Sequence, residues 1–131
     1  MLSRLGEAGQ GAFAALLPGG HRFLIRCRTE ERPASGAGPL EDLDTFLLER
    51  EVLTGLLGIT PEAVAAGAVA YTPDAGEALR RVDSGEAAAA FLLNPLPVEA
   101  VVRAARAGLR LPQKSTYFYP KVFTGLVIRP F

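Results

Sequence analysis

The order of apolar runs predicts a small α/β domain in which strands and helices alternate around a sheet of about four strands. Three observations carry that expectation. Residues 87–93 form an uninterrupted apolar run, the composition of a strand buried on both faces. Val98, Val101, Val102 and Ala105 recur at helical spacing directly after it. Leu126-Val127-Ile128 then supplies a further strand-like run. From residue 68 onward the chain therefore reads strand, helix, strand, helix, loop, strand, which is the pattern of crossover connections.

The remaining elements follow in order. Residues 2–17 carry Leu5, Phe13, Leu16 and Leu17 and predict a weak amphipathic helix. Gly6, Gly9 and Gly11 dilute it, each costing about 0.5–1 kcal/mol relative to alanine. Pro18-Gly19-Gly20 ends it. Residues 21–28 set Phe23, Ile25 and Cys27 against Arg22, Arg26 and Arg28, a half-buried strand that Leu24 interrupts. Residues 29–40 read as a flexible polar loop. Leu43, Phe46, Leu47, Leu53 and Leu57 keep helical spacing over 41–57, and Gly58 stands where a C-terminal cap is preferred. Thr60-Pro61-Glu62 and Thr72-Pro73-Asp74 each place a capping hydroxyl before a proline suited to a first helical turn. Between them, residues 68–71 predict a short strand. A helix over 73–82 ends at Asp83-Ser84-Gly85. Asn94-Pro95-Leu96 turns into a helix over 97–107, closed by Gly108, whose Arg103, Arg106 and Arg110 share a solvated face with Glu99.

Composition narrows the function classes. At 131 residues the chain matches one domain, and 49% hydrophobic residues without a long charged tract place it among globular proteins. No apolar run approaches the roughly 20 residues of a membrane-spanning helix. The first residues hold no hydrophobic signal core, so the expected location is cytoplasmic, with no membrane contact. Cys27 is the single cysteine and His21 the single histidine, which excludes an internal disulfide and an unaided Cys/His zinc site. We expect no metal and no cofactor. Cys27 reads as a buried structural thiol, and His21 as a turn or strand-start residue. Net charge is zero but uneven: residues 1–100 balance at −6 and residues 101–131 at +6. An anionic partner at the basic end explains this. So does an internal match with Glu41, Asp42, Asp44, Glu49 and Glu51.

The segment Leu111-Pro112-Gln113-Lys114-Ser115-Thr116-Tyr117-Phe118-Tyr119-Pro120-Lys121 departs from the pattern around it. Of 14 basic residues 12 are arginine, and both lysines stand here with two of the three tyrosines. Lysine is a compact, strongly hydrated charge with a tunable pKa, suited to phosphate contact or proton transfer. Ser115 and Thr116 add donors. The candidate ligand-binding set is therefore Lys114, Ser115, Thr116, Tyr117, Tyr119 and Lys121; no catalytic residue is assigned. The competing reading is an edge strand, with Tyr117, Phe118 and Tyr119 alternating, Pro120 ending it and lysines blunting the edge. Lys114-Ser115-Thr116 is not a P-loop, because the preceding glycines are missing.

The block Gln113 to Lys121, with Leu92-Leu93-Asn94-Pro95, Val98-Glu99 and Gly125-Leu126-Val127-Ile128, resembles the end of the domain-of-unknown-function 1015 family of bacterial proteins. The Leu43-Asp44 helix, Tyr71 and Val82-Asp83-Ser84-Gly85 are similar in order and spacing, so the likeness covers about residues 40–131. Family members are much longer. Their N-terminal part has an Asp-Gly-His-His-Arg motif, similar to one in the ParB/sulfiredoxin-like fold that includes free-serine kinases. This chain lacks that part. It also has Glu49 and Pro73 where the family often has histidine.

Two functions follow as expectations. In the first, the chain is the C-terminal domain of a phosphate-handling, kinase-like enzyme and is not catalytically complete alone. Its loop 112–121 then binds a phosphorylated small molecule or nucleotide, with Lys114 and Lys121 on the anion and Tyr117 and Tyr119 orienting it. In the second, it is a non-catalytic module that docks on a protein partner carrying the missing N-terminal portion, or on its own kind. Nucleic acid is disfavoured: the basic excess is small and no helix-turn-helix or RNA-binding signature appears.

Overall fold

The computed structural model describes residues 1–27, 40 and 43–111. Its centre is a strand where the apolar spacing predicted a helix. Helix α1 (Leu2–Ala8) stops at Gly9, and after a turn the chain enters strand β1 (Ala12–Leu17). The glycines that would have diluted one long helix instead separate two elements. Ala12 to Leu17 contains no polar residue, so neither helical nor alternating periodicity marks it. Such a run fits a strand covered on both faces.

Pro18-Gly19-Gly20 then reverses the chain into strand β2 (His21–Arg26). Gly19 and Gly20 have φ of 76° and 78°, a left-handed backbone that side-chain-bearing residues resist. The turn pairs Leu17 with His21, and the antiparallel ladder continues to Ala12 opposite Arg26. The other edge of β1 pairs antiparallel with strand β3 (Ala90–Leu93), from Phe13 opposite Leu93 to Leu16 opposite Ala90. The described sheet thus has three strands in the order β2-β1-β3. Mixed α and β structure is as expected, but the sheet is antiparallel and smaller than the expected four strands. β3 lies beside the first strand of the chain, which replaces the predicted crossover arrangement. It is also half-buried and at the edge of the described sheet, unlike the doubly buried strand expected over 87–93.

Alternation along β1 divides the core. Ala12 and Ala14 face Leu5 of α1 and Leu92, and their small methyl side chains let the helix lie close to the sheet. Phe13 points to the other side, onto Leu48 and Val52, with Ile25, Cys27, Leu53, Phe91 and Leu93 around it. The Phe13 and Phe91 rings meet edge to face, with centroids 6.4 Å apart.

The helix covering that second side starts as α2 (Asp44–Leu47) and continues as wider π turns over Leu48–Leu56. The Leu57 amide accordingly reaches back five residues to the Val52 carbonyl, at 2.9 Å. Wider turns rotate the chain less per residue, so a stripe drawn at 3.6 spacing drifts off the core. Leu43, Leu47, Leu48 and Val52 are buried, whereas Leu57, expected inside, is exposed.

Helix α3 (Pro61–Ala65) has the predicted cap: Thr60 Oγ1 accepts from the Ala63 amide at 3.3 Å and Pro61 opens the helix. Helix α4 (Ala75–Asp83) starts later than expected. Asp74, rather than Thr72, is its N-cap, accepting from the Gly76 amide at 2.8 Å, and Pro73 lies outside the helix. No strand forms over 68–71; the six residues between the end of α3 and Thr72 are spent on the connection. Arg28, the predicted end of the strand over 21–28, residues 29–39 of the predicted polar loop, and 126–128, the predicted last strand, lie outside the described residues.

Helix α5 (Val98–Arg106) forms where predicted but turns a different face inward. Ala100 and Ala104 are buried, while Val98 is 65% and Val102 42% exposed. The alanine side can approach its neighbours more closely than the valine side. The expected stripe of Val98, Val101, Val102 and Ala105 is therefore displaced, with Val101 half-buried and Ala105 exposed. Val102→Asp should accordingly change the unfolding free energy by only about 0.5 kcal/mol, as surface substitutions do. Ala104→Asp should cost about 3 kcal/mol or more, because it buries an unpaired charge. Urea unfolding of the two variants beside the parent checks the pair; equal losses would contradict the helix orientation.

Candidate functional site

The sequence-predicted ligand set of Lys114, Ser115, Thr116, Tyr117, Tyr119 and Lys121 lies outside the described residues. The described part places the other polar candidates. Asp44 is the one buried charged residue among the described positions, and its Oδ1 accepts the Gly11 amide at 2.6 Å. A carboxylate accepting a backbone N–H at this distance makes a charge-assisted bond, stronger than a neutral one. It ties the start of α2 to the turn that launches β1. The carbonyl of the same Gly11 accepts the Cys27 amide at 2.8 Å, so both polar groups of this residue are used.

Asn94 performs a matching task on the other flank. Its Nδ2 donates to the Leu5 carbonyl at 3.1 Å and to the Gly9 carbonyl at 2.9 Å. Carbonyls at a helix C-terminus have no partner within the helix, and this amide supplies one. Asn94 and Asp44 both came from segments quoted for the family likeness, and in the fold both hold backbone. Neither stood out in sequence as a fastener. The available signals were an acid set among Leu43, Phe46 and Leu47, and an Asn following the apolar run of β3.

Cys27 is half-buried, against the Phe13 cluster, rather than fully enclosed. His21 stacks on Phe23 on exposed β2, with ring centroids 6.5 Å apart and planes 19° from parallel. Phe46, Glu49, Arg50 and Thr54 line an open depression of ≈ 230 Å³ along one helix. That volume is smaller than the roughly 300–1,000 Å³ of usual small-molecule pockets. Its cation is already engaged: Arg50 lies 5.6 Å from the Phe46 ring centre and pairs with Glu51 at 2.6 Å.

Around α4, Thr72 Oγ1 donates to Glu77 Oε2 at 2.6 Å and accepts from the Asp74 amide at 3.1 Å. Arg81 adds Nε contacts to Glu77 at 3.9 Å and to Glu86 at 3.6 Å. This network closes a helix start and an exposed face without converging on a cavity. At α3, a hydrogen bond from the backbone amide of Glu62, and then the Thr60 hydroxyl, hold the exposed Glu62 carboxyl below the usual glutamate range. This small stabilisation is present at neutral pH and is lost as pH falls through the depressed value.

Among the described residues, no group of three or more His, Cys, Asp or Glu is placed to hold a metal ion. No described helix is long and apolar enough to cross a membrane. No family model matches the chain, and neither a curated protein nor a solved structure shows significant similarity to it.

The buried Asp44 carboxylate thus holds the fold together at the entry to β1, which gives a direct expectation. Asp44→Ala leaves the Gly11 amide buried without its acceptor and should lower the unfolding free energy by about 2–3 kcal/mol. A denaturant midpoint equal to the parent's would show that water replaces the carboxylate there.

Proposed function

We propose that this chain is a docking module that works in association with another protein surface. The observation that carries the reading is strand β2. Phe23, on one face of the sheet, is 51% exposed, and Leu24, on the other, is 37% exposed. The outer edge of β2 has no neighbouring strand among the described residues. Arg22 and Arg26 share the Leu24 face by alternation and guard it with charge. The opposite face carries His21, Phe23 and Ile25, with Leu17 beside His21, and has no such guard. An extended segment adding to this edge would gain ladder hydrogen bonds and cover Phe23.

The occupant is a partner subunit or a second copy of the chain. The likeness to the 1015 family favours the first, a cytoplasmic subunit carrying the N-terminal portion that longer members possess. The test is sedimentation and partner retention of the tagged chain, expressed with the reading frame that neighbours its gene. Phe23→Glu should weaken assembly at least about tenfold, the scale of one interface anchor. Assembly indifferent to that substitution, or a chain that stays monomeric and retains nothing stoichiometric, would end this reading.

A second reading has its own observation, the gathering of both lysines with Ser115, Thr116, Tyr117 and Tyr119. In it, loop 112–121 binds a phosphorylated metabolite or nucleotide as part of a kinase-like, phosphate-handling enzyme. The two readings are compatible if the partner completes the enzyme. A guanidinium cannot reproduce a compact ammonium in a tight anion site. Lys114→Arg and Lys121→Arg should therefore reduce the thermal shift that a stabilising phosphorylated ligand produces. Equal shifts for parent and both variants, with and without the partner, would remove the lysine site.

A further inference from the structure

We draw no further inference here: the strongest candidate, the exposed Val98 and Val102 side of helix α5, is an unpartnered apolar surface patch, and nothing in the structure shows what covers it.

Discussion

Strand β1 leaves no side for water, and the other elements are arranged to satisfy that condition. Both edges are paired, with β2 and β3, and residues 12–16 are all buried. A polar side chain there would be desolvated without a partner, so the segment is restricted to Ala, Phe and Leu. The backbone entering the strand needs the same care, since a buried N–H or C=O without a partner is costly. Asp44 accepts the amide of Gly11, and Asn94 donates to the carbonyl of Gly9, so each flank of the turn is fastened by one long-range side chain. These two residues connect the helix over 44–56 and the end of β3 to the same three-residue turn.

What was legible in sequence depended on whether a local rule decides the conformation. The cap at Thr60-Pro61 and the stop at Gly108 formed as read, because each is settled within a few residues, whereas Pro18-Gly19-Gly20, read as the end of a helix, closes a hairpin. β1 was misread because an all-apolar run has no periodicity, and Leu5, Phe13 and Leu16 sampled across two elements imitated one helix. The run over 87–93 was read instead as the strand buried on both faces. Its place at the edge of the described sheet could be known only after β1 had been placed between it and β2. Helix α5 shows the same limit: spacing located the helix, but which arc turned inward was a tertiary choice that favoured Ala100 and Ala104 over the valines.

Function was less legible than fold for a related reason. A lysine-and-tyrosine loop can be recognised from residue usage, yet whether its ammonium groups converge is a matter of geometry. In contrast, Asp44 and Asn94 looked ordinary in sequence and became the two polar fasteners of the described fold. Exposed apolar groups were also invisible beforehand: Phe23 and Val102 were each read as core because their spacing was correct for it. Spacing identifies which side chains can share a face, and only packing decides whether the face is covered.

The position of β1 in the chain also shapes how the molecule can be born. Its hairpin partner β2 begins four residues after it ends, but β3 begins only at Ala90. At ribosomal rates of about 5–20 residues per second, the second edge of β1 waits roughly 4–15 s for its partner to be made. Hairpins close in microseconds but are only marginally stable alone, so β1 spends that interval exchanging between an open chain and a two-stranded ribbon whose second edge is apolar and unpaired. Nascent chains of neighbouring ribosomes would meet through that edge, which makes the early hairpin the point where a trigger-type chaperone, or slower initiation of translation, would most improve the yield of folded protein.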